Sequence, residues 1–424
     1  MATEAPAMAT DRISYDDLYA RWEKGNWSAT ELDFGQDLHD WHETFTEIER
    51  KAALWNYSLF FHGEDSVTDN LSPYIDAAPL EEQKYFLATQ QVDEARHAVF
   101  FGRFMQEVVG RGEDIGSSLA ATHGELTWGF RKTFELLDEV ADSLRRDKSR
   151  PNLARAICMY HVIVEATLAQ AGQHFIESYL TERGILPGFL AGMENVSRDE
   201  QRHIGFGVKI LSDLVKEDPD CRYAVADLLR QVMPLTVGVF VPPGWDRRYT
   251  EVFGKSMEDL YEDGMKSLEQ KLRAAGLPLE ELPGPPPVPL HKSPRKQAED
   301  AVKLLYANVL GERNGPPSAD PETMGILFDV IANSADPRAA NGGMAIQWDF
   351  KDADPWFVRI DNGSSEYGQG RLERADVTLK CRFEDWVDIT AGREDPRRAL
   401  LRGKIRPRGR IGSLWRMQKV FPSR

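Results

Sequence analysis

One spacing, written twice, constrains this chain more than any other feature: Glu64 then Glu94 with His97, and Glu165 then Glu200 with His203. Each copy is a lone Glu followed some thirty residues later by E-x-x-H. Glu and His at i, i+3 share one helix face with Cβ atoms about 5–6 Å apart, so both reach the same point. Separations of 30 and 35 residues suit one helix running out and the next returning antiparallel. Four helices then aim six ligands at one interior point, the ligand inventory of a dinuclear metal site in a four-helix bundle. Four carboxylates and two neutral imidazoles balance two divalent cations, and hard, redox-active ions take such a set. Nine His at ordinary Glu content give roughly 0.7 E-x-x-H pairs by accident, so a single pair is weak and the repeat carries the signal. Glu94 and Glu200 are the expected bridges, because each belongs to a pair that already anchors an ion.

The 424 residues suffice for two or more domains. Cys158, Cys221 and Cys381 are too few and too scattered for a disulfide framework or a thiolate metal site, which points to a reducing cytoplasm. Residues 1–30 hold no apolar core of a secretory signal. The longest apolar stretch, Val232 to Pro242, is too short to span a bilayer and contains Pro234, so no transmembrane segment is expected. Residues 1–288 carry a net charge of −20 and residues 289–424 a net +4. The acidic part excludes nucleic acid as a partner, since phosphate binding needs a cationic surface. The stretch from Arg402 to Arg410 is locally basic and reads as a solvated strand face, with acidic lipid headgroups as the functional alternative.

Prolines write the domain boundary. Residues 276–292 include Pro278, Pro283, Pro285, Pro286, Pro287 and Pro289, cannot continue a helix, and predict an extended, semi-rigid linker between residues 1–275 and 293–424. Before it, apolar residues recur at three and four over Trp41–Phe61, Glu81–Val109, Ser117–Ser143, Asn152–Glu182, Leu186–Lys216 and Ala224–Val239. After it, Met344–Phe350, Trp356–Ile360 and Ala375–Cys381 alternate as strands do, between helical patterns at Lys296–Leu310 and Phe383–Ala391.

The ligand pattern over residues 30–245, with Ser197-Arg-Asp-Glu-Gln-Arg-His203 as a last ligand helix, resembles the small subunit of class I ribonucleotide reductase and its relatives in the ferritin-like superfamily. Radical-generating members place a tyrosine seven residues after the first E-x-x-H Glu. Here that position is Phe101, which has no oxidisable hydroxyl, and a stored tyrosyl radical there is excluded. The chain resembles more closely the small-subunit-like ligand-binding oxidases, which form a valine–tyrosine ether crosslink beside a manganese/iron site. Their valine lies three residues after the first Glu, as Val67 does after Glu64, and their tyrosine five before the second lone Glu, as Tyr160 does before Glu165. The resemblance implies Val67 and Tyr160 as a crosslink pair, Mn and Fe (or two Fe) as metals, and a long-chain fatty acid or similar apolar ligand. Val67 shares the helix face of Glu64. A five-residue offset fails for one face of an ideal helix, and a π-bulge between Tyr160 and Glu165 is expected to align them. Asp93 and Asp199 are expected to hold the second nitrogens of the ligand imidazoles. His62 and His161 read as neighbours of the site rather than ligands.

Residues 293–424 resemble a sterol carrier protein domain through Ala375-Asp-Val-Thr-Leu-Lys-Cys381 with the helical residues after it, Thr390-Ala-Gly-Arg-Glu-Asp-Pro396, and Gly403-Lys-Ile-Arg-Pro-Arg-Gly-Arg-Ile-Gly412. The expected architecture is therefore an all-α ferritin-like bundle followed by a smaller α/β (α+β) lipid-binding domain. Two readings follow. In the first, the chain is an O2-activating dinuclear-metal oxidase acting on an apolar ligand, with an external electron donor, a homodimeric state and an appended domain that binds or delivers lipid. In the second, it is a lipid-binding or transport protein whose metal site is structural. Val67 and Tyr160 favour the first, because a structural site has no use for an oxidisable partner.

Overall fold

Ser14 caps α1 (Tyr15–Gly25) by accepting from the Asp17 amide, and a reciprocal cap starts α2 (Glu47–Asn70). There the Thr46 amide donates to Glu49 at 2.7 Å while the Thr46 hydroxyl oxygen accepts from the Glu49 amide. Such a box satisfies donors that a helix start leaves orphaned. The helical pattern read from Trp41 is therefore broken, with a separate turn before Thr46 and the ligand helix only after it. The computed structural model describes residue 10 and residues 13–336, 338–340, 342–361 and 364–421. It divides into two compact units, Met1–Leu228 with Val239–Glu281, and Leu229–Gly238 with Leu282–Arg424. No described helix is long and apolar enough to cross a membrane.

The first unit is helical and ferritin-like. After α2 come α3 (Glu81–Phe104), α4 (Trp128–Arg146), a continuous helix α5 running from Arg150–Ile157 through a π segment, Cys158–Ala169, into Gln170–Arg183, then α6 (Pro187–Glu217) and α7 (Met257–Ala274). The pattern read as one helix over Ser117–Ser143 is two, because Thr127 caps α4 through the Phe130 amide. At the start of α6, Pro187 occupies the first turn and the Asp37 carboxylate accepts from the Gly188 and Phe189 amides. An acidic side chain there complements the helix N-terminus. Phe101 is buried and stacks on Phe60, with Phe100 and Phe189 around it.

Two glycines let α6 approach its neighbours. A Cβ on Gly192 would lie 2.1 Å from the Phe100 ring, and one on Gly207 would lie 2.2 Å from the His161 Cβ on the π segment. Neither is a turn glycine, and what each supplies is the absence of a side chain.

The second unit contains α8 (Pro294–Tyr306), α9 (Pro321–Asn333) and a five-stranded mixed sheet. The strands are β1 (Met344–Phe350), β2 (Trp356–Asp361), β3 (Ser364–Gln369), β4 (Val377–Cys381) and β5 (Arg406–Gly409), in the order β3-β2-β1-β4-β5. β1 and β4 are parallel and the other pairs antiparallel. α10 (Phe383–Thr390), α11 (Pro396–Leu401) and α12 (Ile411–Val420) complete it. The Phe328 ring on α9 stacks on Trp356 and Trp386 and meets Trp348 edge-on, so aromatic rings fill the interior against the sheet. The proline-rich stretch is packed rather than free: Leu277 and Leu279 are buried, and Arg230 donates to the Pro283 and Pro285 carbonyls.

Gly207→Ala is expected to force α6 from the π segment and cost about 1–3 kcal/mol, the usual range for an overpacked core. Thermal unfolding measures this, and an unchanged midpoint would contradict the close-packing account.

Candidate metal centre

Glu64 comes from α2, Glu94 and His97 from α3, Glu165 from the π segment of α5, and Glu200 and His203 from α6. All six are buried. They form two groups, Glu64/Glu94/His97/Glu200 and Glu94/Glu165/Glu200/His203, whose potential ligand atoms lie within 4.8 Å of one another. Glu94 and Glu200 belong to both.

Each imidazole turns Nδ1 towards these carboxylates and gives Nε2 to an aspartate outside them. His97 Nδ1 lies 3.2 Å from Glu64, while its Nε2 lies 3.3 Å from Asp199. His203 Nδ1 lies 3.1 Å from Glu94, and its Nε2 lies 3.1 Å from Asp93. The pairing is crossed, since the aspartate beside each motif's Glu holds the histidine of the other motif. Arg202 donates to Asp93 at 2.6 Å and to Asp199 at 3.0 Å, and Arg96 donates to Asp93 at 2.8 Å. Trp22 Nε1 donates to Asp93 at 2.9 Å and Trp27 Nε1 to Asp199 at 2.8 Å. Burial alone would raise the Asp199 carboxyl, but His97, His203 and Arg202 outweigh it and hold it well below its usual range.

The inner carboxylates behave oppositely. Burial pushes Glu64 and Glu165 up to about 7 despite the imidazoles beside them. Burial, reinforced by Glu165 and Glu94, pushes Glu200 well above the usual carboxylate range. Burial also opposes charge on Glu94, yet His203 and His97 hold it low. Four carboxylates at one buried point thus lack positive charge. Glu94 Oε2, Glu165 Oε2, Glu200 Oε2 and His203 Nδ1 have no hydrogen-bond partner among the described residues. Orphaned buried acceptors facing one another around an oxygen-rich pocket fit a pair of divalent cations.

The π segment resolves the five-residue offset. Its hydrogen bonds span five residues, as from the Gln170 amide to the Glu165 carbonyl, so Tyr160 and Glu165 face the same way. The Tyr160 hydroxyl donates to Glu94 Oε1 at 2.6 Å and accepts from Gln90 Nε2 at 3.2 Å. Gln90 also donates to Glu165 at 2.8 Å, and its own oxygen meets His161 Nε2 at 3.1 Å. Burial lowers His161 to about 3, so its ring stays neutral. An apolar cavity adjoins the carboxylates, with Val67, Tyr160, Gly63, Phe130, Phe134 and Phe240 in its wall. His62 lies apart from the carboxylate groups and bonds Thr122 at 3.0 Å.

Sequence reasoning missed Arg96, Arg202, Trp22, Trp27, Gln90 and Gly63. The arginines were recoverable, because Asp93–His97 and Asp199–His203 both read D-E-x-R-H. The tryptophans carry no such spacing and come from the N-terminal segment.

Residues 9–235 match the family model described as ribonucleotide reductase, small chain. Residues 328–422 match that of the SCP-2 sterol transfer family. Among solved structures, a valine-to-leucine variant of an R2-like ligand-binding oxidase with anaerobically reconstituted Mn/Fe cofactor is 25% identical, with a TM-score of 0.54 over 62% of this chain and 93% of that one. A tyrosine-to-phenylalanine variant of an R2-like ligand-binding oxidase with aerobically reconstituted Mn/Fe cofactor is also 25% identical, with a TM-score of 0.52 over 63% of this chain and 94% of that one. On the match over residues 9–235, more than half its length, the chain belongs to the ribonucleotide reductase small chain family.

Proposed function

We propose that this chain is an O2-dependent oxidase that holds two metal ions, Mn and Fe or two Fe, between Glu64, Glu94, His97, Glu165, Glu200 and His203, and acts on an apolar ligand in the adjoining cavity. The observation that carries the reading is the set of orphaned carboxylate oxygens opening onto an apolar space that Val67 and Tyr160 share. The bound pair of ions would supply the Lewis acidity and the electrons for reducing O2. The protein's part is orientation and exclusion. Asp93 and Asp199 fix the imidazole tautomers so that Nδ1 stays free as a ligand, and aromatic side chains in the cavity wall keep water from the reacting atoms.

Val67 and Tyr160 are the proposed crosslink pair. Tyr160 loses its phenolic hydrogen and Val67 its β-hydrogen, a Cβ–O bond forms, and O2 takes up these two electrons and two protons, with the two electrons the ions would supply and two protons from solvent, to leave as two waters. Burial and the surrounding carboxylates raise the Tyr160 hydroxyl well above its usual value, so the proton stays on the phenol oxygen, donated to Glu94 at 2.6 Å, until it leaves together with the electron. The solved relatives carry substitutions at a glycine, at a valine four residues after it, and at a tyrosine. Gly63 and Val67 stand at the same spacing here. The second unit, through its sterol-transfer match, is proposed to bind a lipid and pass it to the bundle.

Elemental analysis after loading with iron and manganese is expected to give two metals per chain and clearly fewer in Glu94→Ala. Asp93→Ala and Asp199→Ala should each weaken loading by roughly 10–100-fold in competition with a chelator. A Glu94→Ala variant that loads fully would overturn the ligand assignment. On exposure of the loaded protein to O2, intact mass should fall by two hydrogens, with no fall in Tyr160→Phe. Peptides containing Val67 and Tyr160 that still run separately would exclude the crosslink. Solvent extraction of the purified full chain should release an acyl or isoprenoid-like lipid. Absence of both endogenous lipid and saturable uptake of a fluorescent fatty acid would remove the lipid reading.

A further inference from the structure

Residues 396–424 contain ten Lys and Arg and no Asp or Glu, in a chain of net charge −16. The described part of this run forms one edge of the second unit: α11, the edge strand β5 and α12. Large apolar side chains stand out from it, Leu401 at 87% exposure, Ile411 at 76%, Trp415 at 66% and Leu400 at 52%. The Lys404 amide donates to the Ala399 carbonyl, so the chain turns tightly from α11 towards β5. On α12 the inner face, with Leu414, Met417 and Val420, packs on the core. Ile411, Trp415 and Lys419, each four residues apart, therefore line the outward face. Arg408 and Arg410 are exposed, and among the described residues no carboxylate lies within 4.0 Å of Arg406, Arg408, Arg410 or Lys419.

Ordinary surface design does not account for this edge. Cations and a proline protect an edge strand from pairing, which explains Arg406, Pro407 and Arg408. It leaves Leu401, Ile411 and Trp415 in water without a reason. A second copy of the chain would cover the apolar groups but set cation against cation across a self-complementary interface. Nucleic acid would satisfy the cations and leave the leucines and Ile411 unpartnered. A bilayer surface satisfies both, because Trp and aliphatic side chains enter the headgroup region while Lys and Arg meet lipid phosphates.

We propose that the α11–β5–α12 edge docks on a bilayer containing anionic lipids, with Leu401, Ile411 and Trp415 entering the interface and Arg408, Arg410 and Lys419 neutralising headgroups. This adds to the lipid-carrying reading of the second unit a place where that unit meets its source of lipid, but the docking does not require that lipid be carried.

Flotation of the full chain with phosphatidylcholine vesicles, with and without phosphatidylglycerol, tests it. Binding should require phosphatidylglycerol and weaken with salt. The triple variant R408S/R410S/K419S should lose roughly a hundredfold, about fivefold per charge. Trp415→Ser should weaken binding on the same vesicles while every charge remains. These positions are exposed, and an unchanged thermal midpoint in each variant confirms that folding is intact. Absence of binding by the parent chain, or binding unaltered by both variants, overturns the proposal. So does Trp415→Ser converting a dimer to a monomer in sedimentation velocity, which assigns the edge to a second copy. Duplex DNA displacing the vesicles, with its own binding lost in the triple variant, overturns it in favour of nucleic acid. Extracted lipid is measured in parallel: docking without carried lipid removes the lipid-carrying reading alone, and carried lipid without docking removes this one alone.

Discussion

Everything in the first unit is arranged around the cost of placing four carboxylates at one buried point. Buried charges persist only when paired, hydrogen-bonded or bound to metal. The structure meets the cost in two layers. Outside, Asp93 and Asp199 are fully paired with Arg96, Arg202, Trp22, Trp27 and the two imidazoles. Inside, the carboxylates have two histidines and the neutral donors Tyr160 and Gln90 beside them and still keep unpartnered oxygens. The carboxylates of the outer layer are therefore met by cationic and neutral donors, and the inner layer keeps a demand that a pair of divalent cations would satisfy. The crossed pairing also ties α3 to α6, since neither histidine can rotate without breaking a bond to the opposite helix.

The same geometry explains why a long π segment is tolerated. Five-residue hydrogen bonds are poorer than those of an α-helix and collect at functional sites. Here they turn Tyr160 and Glu165 to one side, and side chains occupy the carbonyls that irregular turns leave exposed: Thr167 donates to Val162 O and Ser267 on α7 to Ala166 O. Gly207 and Gly264 allow α6 and α7 to close on the segment from outside. Local irregularity is thus held by tight packing on either side.

Much of this was legible in the sequence because metal chemistry fixes both residue type and spacing. Glu64, Glu94, His97, Glu165, Glu200 and His203 are spaced by helix geometry, and the structure brings all six together. The five-residue step from Tyr160 to Glu165 is intelligible only with a π-bulge, which is present. In the second unit β1, β2 and β4 alternate and are readable, whereas β3, Ser-Ser-Glu-Tyr-Gly-Gln, has no apolar face to alternate and exists through its pairing with β2. α12 was hidden for the opposite reason, being apolar on two faces. Trp22 and Trp27 were not legible, because a hydrogen bond from a distant segment to a buried aspartate leaves no local period.

The distribution of phenol and phenyl rings around the cavity bears on where an oxidant made there would act. Phe60, Phe130, Phe134 and Phe240 line it, and Phe101 lies behind Phe60, where relatives that store a radical keep a tyrosine. None of these rings has an exchangeable hydrogen. Tyr160 is the one phenol among the described lining residues, and its hydroxyl is already hydrogen-bonded to Glu94. Val67 offers a tertiary C–H on the same wall. On the proposed reading, phenylalanines around a metal pair, with one tyrosine and one valine in the same wall, would confine oxidation to those two residues and to an apolar guest in the cavity. A purely structural metal site would gain nothing from that restriction.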